Sequence, residues 1–335
     1  AHYHYQRYQL LQEQIEQSSS RQRSARINLQ PLPDELTLFY IPDMLRFACL
    51  ALSHQATTGQ AYQFLLLDAA LEAIEQESVL KAPAVVVYYH AYKALQADDK
   101  AHFEQLKTRL SEHADCFQPT ELRSIYLLAI NACIRRMNAG QQAYVREAFD
   151  LYRATIARDL LTENGHISGF TYKNIIRIGV ALGEHEWTDQ FLDAYRPALH
   201  PRERDNIYRY NRAYLYFQQQ DYNRAMPLLQ QVDLEDNLNN LDARRMLLRS
   251  YFELDERDAL DSLLQSFGAY LRRQKNLGYH RQTNEKLIYF TKKLLELPAG
   301  DKQAKALLRA ELEATADVAE RNWLLLKTLT TDAGC

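Results

Sequence analysis

Glycine and proline are scarce, at 10 and 9 in 335 residues. That is about 3% of the chain each, against a usual roughly 7% and 5%. Tight β-hairpins consume glycine, so the shortage excludes a sandwich or barrel and leaves helices joined by short turns. Cysteine is equally thin. Cys49, Cys116, Cys133 and Cys335 lie far apart with no C-x-x-C pair, which reads as reduced, mostly buried thiols of a cytoplasmic protein and not as a disulfide framework. Neither sign of charge dominates; the net of −3 gives no global basic excess that would point to nucleic acid. No 18-residue apolar run and no cleavable leader are evident, so no membrane span is expected.

What the chain does have is length and helix formers. It is longer than one compact core usually serves, which predicts several domains or an elongated stack. Leu, Ala, Gln, Glu and Arg are abundant, and the expected fold is all-α. The opening "AHYHYQRYQLLQEQIEQ" reads as helix from the first residue, so residues 1–34 are expected to be a helix and linker ending a preceding region. "SSSRQRSARINLQPLPD" (18–34) loses apolar periodicity and is the linker itself. Residues 35–335 then carry helix after helix, in looser pairs to about 118 and more regular ones from 119. "PAVVVYYHAY" keeps a period of three to four into the next residues and is read as a buried helix. Segments 60–77 and 315–330 are also expected to be helical, and Asn164-Gly165 to end a helix whose successor Ser168 caps.

Three units align with spacings of 37 and 35. Gly179, Tyr216 and Tyr251 fall together, as do Ile176, Ala213 and Leu248, then Thr188, Ala225 and Leu260, then Leu192, Leu229 and Leu264, then Tyr195, Val232 and Phe267. Each set lies at helical spacing within its unit and marks one buried stripe. A two-helix unit cannot bury both faces alone, so such units stack.

"YNRAYLYFQQQDYNRAMPLLQQV" resembles a tetratricopeptide repeat, with Ala213, Tyr216, Asp221-Tyr222 and Ala225 at the small, aromatic, turn and small positions. Residues 168–270 carry the match. Arg209 stands where that family favours Trp, Gln220 replaces the turn Gly, and Pro227 interrupts the second helix. The chain is also similar to uncharacterised helical-repeat proteins of Bacteroidetes around "AHYHYQRY", "TYKNIIRIG" and "YLRRQKN". These resemblances imply a right-handed superhelix of about seven stacked antiparallel helix pairs. They also imply a concave groove lined by the first helix of each unit. Carried over by position, the groove residues are Phe170, Lys173 and Arg177, then Tyr210, Tyr214 and Phe217, then Asp242, Arg245, Arg249 and Phe252. Asn174 and Asn211 take the place that bonds ligand backbone in peptide-binding relatives. Four cations among aromatics would suit an acidic peptide or protein segment, or a free C-terminal carboxylate. The same residues read as solvated surface and inter-helix core if no ligand is held.

Catalytic motifs are weak. "HEWTD" (His185, Glu186, Asp189) has Asp where a zinc motif needs its second imidazole, and reads as a helix start. "GHISG" puts Ser168 one place late for a nucleophile elbow. His2 and His4 are two apart and face different sides of a helix. No enzyme, metal or cofactor is expected. The expected function is a non-catalytic scaffold binding a protein or peptide. The alternatives are a helical-repeat nucleic-acid binder, using the clusters Arg272, Arg273, Lys275, Arg281 and Lys292, Lys293, or a spacer within a longer protein.

Overall fold

The computed structural model describes residues 2–21, 28–75, 81–96, 99–232, 237–275, 277–298 and 300–329. Among them are sixteen α-helices and no strand; one isolated bridge joins Glu163 and His166. The chain is all-α. The centre of the expected linker, 22–27, lies outside the described residues, as do Cys335 and the carboxylates between Val232 and Asn237. Two compact units emerge, Ala1–Ile167 with Arg177–Gly183, and Ser168–Ile176 with Glu184–Cys335.

In the first unit the helices are α1 (His2–Arg21), α2 (Pro31–Thr58), α3 (Leu67–Ile74), α4 (Pro83–Gln96), α5 (Lys100–His113), α6 (Pro119–Asn138) and α7 (Ala143–Ala157). Pro31 and Pro33 stand in the first turn of α2, where a missing N–H costs nothing, so the helix begins earlier than periodicity predicts. Gly59, at φ 73°, ends it by donating its N–H to the Gln55 carbonyl. Residues 60–66 are not helical, contrary to expectation; Leu65 is 98% exposed there, so helix formation would bury nothing. α2 packs on α1, α3, α4 and α6, which accounts for its being apolar nearly all round. It is also the exception to the expected lack of an 18-residue apolar run. By length and composition it could cross a membrane, and 28% of its apolar stretch is buried. Glu35, itself buried, ties α1 to α2 by meeting His4 at 2.6 Å and Arg7 at 2.9 Å. α4 is the buried helix that its period predicts, with Val85, Val87 and Tyr88 in the core. Cys49 and Cys133 are buried and Cys116 is exposed; burial pushes the Cys133 thiol up to about 12.

The helix α8 (Gly169–Ala181) runs through the division between the units. The second unit continues with α9 (His185–Tyr195), α10 (Arg204–Gln218), α11 (Tyr222–Gln230), α12 (Asn237–Glu253), α13 (Arg257–Arg273), α14 (Tyr279–Glu296), α15 (Lys302–Ala314) and α16 (Arg321–Lys327). Consecutive helices pair: α10 packs on α9 and α11, α12 on α11 and α13, α13 on α14. Ala213 and Ala225 are fully buried, and so are Ile176, Leu248, Thr188 and Leu192; Leu260 and Leu264 are 1% exposed.

The backbone repeats with the same spacing. Gly183, Gln220 and Asp255 follow the first helices of three pairs and all have positive φ, at 75°, 62° and 55°. Each donates its N–H to the carbonyl three residues back, Val180, Phe217 and Phe252. The next N–H closes a longer ring, Asp221 to Tyr216 and Glu256 to Tyr251. Gln220 and Asp255 hold a conformation that glycine adopts freely and other residues take at a cost of about 1–2 kcal/mol. That cost is tolerated because the buried stripes on either side determine where the chain must turn.

Three details depart from or refine expectation. Asn164 and Gly165 do not end a helix, since α7 stops at Ala157; with φ of 51° and 77° they turn the chain between Glu163 and His166. Ser168 does cap α8, its Oγ accepting from the Thr171 N–H at 3.1 Å. Residues 315–320 are not helical either. There the Ala319 N–H donates to the Thr283 carbonyl and Lys286 to the Ala316 carbonyl, so bonds to α14 replace the helical ladder.

The candidate partner-binding face of α8, α10 and α12

Helices α8, α10 and α12 carry the residues expected to line a groove, and the second unit brings most of them into one network. Gly169 lets α8 start against α10; a Cβ there would lie 2.5 Å from the Ile207 methyl. Phe170 follows and is 70% exposed. Lys173 donates to the side chain of Asn239 and lies 5.4 Å from the Tyr210 ring centroid. Asn174 is half-buried, and Arg177 falls in the first unit.

On α10, Tyr210 and Phe217 are core residues, 2% and 5% exposed, and Tyr214 is half-buried. Tyr210 donates its hydroxyl to Asp242 at 3.2 Å. Asn211 is 1% exposed and donates to the Ile207 carbonyl of its own helix at 2.8 Å, while its Oδ1 is buried and accepts from no donor among the described residues. The sequence pattern treats these positions as facing a ligand; their burial places them between helices.

On α12, Arg245 pairs with Asp242 and reaches Glu320 at 3.9 Å, while Arg249 donates to Glu320 at 2.7 Å. The Arg249 guanidinium sits 4.7 Å from the Phe217 ring centroid and 5.6 Å from that of Trp323. Phe252 meets Trp323 edge to face, with centroids 5.1 Å apart. Glu253 accepts from the Trp323 indole at 2.7 Å and from Lys327 at 2.6 Å. The C-terminal half of this face is therefore occupied by the segment 320–327. Sequence reading missed Glu253, Glu320, Trp323 and Lys327. One signal was present, a glutamate three residues before one of only two tryptophans, but nothing local says which helix it meets.

Beneath this face the second unit neutralises its buried cation. Arg212 is 9% exposed and is held by Asp189, by Asp193 at 2.6 Å and by Tyr208 at 2.8 Å. Burial acts to lower the Arg212 pKa, and the hydrogen bonds with Tyr208 and Asp193 more than reverse that, leaving it raised.

The motifs weighed for catalysis are structural in their surroundings. His185 opens α9 with Glu186 in its first turn. His4 is taken by Glu35 and His2 lies beside Gln6. No group of three or more His, Cys, Asp or Glu side chains that could hold a metal is found among the described residues. A cleft of about 360 Å³ in the first unit is lined by His2, Asp43, Arg46, Tyr88 and Glu121. There Tyr88 donates to Glu121 at 3.2 Å, and burial, then the Glu121 charge, push its phenol well up.

Compared with family models, with curated proteins and with solved structures, the chain matches none. The described residues form an all-helical chain with consecutive pairs, compatible with a helical repeat.

Proposed function

We propose that this chain is a non-catalytic, tetratricopeptide-like solenoid, of the kind its likeness to the Bacteroidetes repeat proteins implies, working in the cytoplasm. It binds a protein partner through a short helical segment laid against α8, α10 and α12. The observation that carries this reading is the seat of α16 on α12. Two arginines meet one carboxylate, Phe252 and Trp323 pack edge to face, and Glu253 takes both an indole N–H and an ammonium. A surface that holds one helix by these groups has the chemistry to hold another with the same order: a carboxylate, an aromatic three residues on, a lysine four further. Rigid side chains on packed helices lower the entropy cost of ordering such a ligand.

The test is a titration with a labelled peptide carrying residues 317–329, DVAERNWLLLKTL. Replacing Glu320→Gln and Trp323→Ala together loosens the resident segment and is expected to open the seat. That variant should bind the peptide with a dissociation constant on the order of micromolar, about −8 kcal/mol. Adding Arg245→Glu and Arg249→Glu should abolish that binding, with helicity checked by circular dichroism. Equal binding by both variants, or by neither, overturns the reading.

A further inference from the structure

Several half-buried arginines of the second unit meet carboxylates, while Arg204, Arg281 and Arg321 donate to backbone carbonyls. Arg212 has two, Arg245 has Asp242 and Glu320, and Arg249 has Glu320. Arg244, beside Arg245 on α12 and equally half-buried, forms no ion pair among the described residues. Its guanidinium lies 4.4 Å from the centroid of the buried Tyr270 ring near the end of α13. Its Nε is buried and has no acceptor. Arg109 and Arg249 share that last feature, but each has a glutamate on another nitrogen.

The neighbourhood adds positive charge. Arg273 lies one turn along α13 from Tyr270, and its charge acts against that of Arg244. Lys275 is exposed two residues on, and Arg281 donates to the backbone carbonyl of the intervening Gln274. The C-terminal end of α13 offers these cations the partial negative charge of a helix terminus, equivalent to about half an elementary charge. That is far less than the charge gathered there. Burial first, and Arg273 after it, hold the Arg244 pKa below the usual arginine value. A half-buried guanidinium near like charge, with a buried Nε that has no acceptor among the described residues, is an arrangement that a counter-anion would relieve.

We propose that Arg244 and Arg273, with Tyr270 fixing the first of them, form a binding site for a phosphoryl oxyanion. Contact with the Tyr270 ring restricts the Arg244 guanidinium, whose planar fork suits two parallel hydrogen bonds to an oxyanion. Two guanidinium groups with Lys275 and Arg281 close by match a dianion better than a single carboxylate. The phosphoryl group has two possible sources, a small phosphate monoester or the backbone of a single-stranded nucleic acid, and both present the same oxygens. The site uses residues other than those that hold α16, so it stands or falls separately from the peptide reading.

The experiment uses the full chain and two probes, inorganic phosphate and a twenty-nucleotide single-stranded DNA, each at low and moderate salt. Variants are Arg244→Gln, Arg273→Gln and, as a control, Arg257→Gln at the opposite end of α13. Phosphate should raise the wild-type melting temperature and shift the Arg244 Nε–H resonance. Both glutamine variants at the site should bind at least tenfold more weakly, and the control should bind as wild type does. Without anion, Arg244→Gln should melt no lower than wild type, because it removes an unneutralised cation. Binding of DNA that exceeds phosphate and falls steeply with salt assigns the site to a nucleic-acid backbone; comparable affinities assign it to a small phosphate. Equal affinities in all four proteins, or no response to either probe, overturn the proposal.

Discussion

The two units solve the same packing problem with different local regularity. In the second, hairpins of similar length recur, most residues of the apolar stripes are buried, and Gln220 and Asp255 hold positive φ at matching turns. In the first, α2 alone spans Pro31–Thr58 and is covered by four helices, yet Leu36, Tyr40, Phe47 and Leu50 remain 37–48% exposed along it. A short repeated unit forces each buried stripe to meet its neighbour at the same place. Exposed apolar side chains are not peculiar to α2, since Phe170, Leu307 and Leu326 of the second unit are 62–70% exposed.

The largest test of that contrast is truncation in the two cores. Leu248→Ala and Phe267→Ala remove side chains that are fully buried, and each should cost about 3–5 kcal/mol in denaturant unfolding. Leu45→Ala in the first unit, also fully buried, should cost about 2–5 kcal/mol. Leu36→Ala on the exposed side of α2 should stay within about 0.5 kcal/mol. A loss at Leu36 matching that at Leu248 would mean the α2 surface is covered in solution, and the contrast would fail.

A middle-sized effect separates the units by pH. In the first, His90 and His102 bring their Nδ1 atoms within 2.9 Å, with Tyr89 against both rings and Asp99 3.9 Å from His102. Burial, then the charges of His102 and Arg109, pull the His90 pKa down to about 4. The unfolded chain, with histidine near 6.5, therefore takes up a proton that the folded chain refuses. Stability from this site is complete above pH 6.5 and falls as pH drops toward 4. Partial exposure screens the ring, so the expected loss is about 1–2 kcal/mol. His90→Asn should flatten that part of the stability curve, and an NMR titration should place the wild-type midpoint near 4.

The smallest effect belongs to the second unit. Lys293, then Tyr289, hold the Glu311 carboxyl below its ordinary range, at 2.7 Å each. A depressed carboxyl stabilises the fold at neutral pH and loses that contribution as pH falls through its folded value. The difference in melting temperature between wild type and Glu311→Gln should thus shrink toward zero in acid. Because the pair is solvent-exposed, a difference that grows in acid would show that Glu311 acts through something other than Lys293.

Much of the fold was legible. The stripes through Ala213, Ala225, Leu229 and Leu264 follow from helical period alone, as does the burial of α4. Pro227 does lie within α11, and Asp221 caps it by accepting from the Arg224 N–H. The candidate face was legible only as a set of positions. Tyr210, Asn211 and Phe217 share the helix side that the family pattern assigns to ligand, yet neighbouring helices bury them. Arg245 and Arg249 read as free cations, and Glu320 meets both from about seventy residues away.

By itself the sequence determined the helices, their turns and the buried stripe of each pair. These are local properties, set by side-chain period, capping groups and the few residues that accept positive φ. Only the tertiary structure decided which charges are neutralised, that α16 lies on α12, and that Arg244 meets the Tyr270 ring with no carboxylate among the described residues. Those outcomes depend on distances between residues far apart in the chain, and no local pattern encodes them.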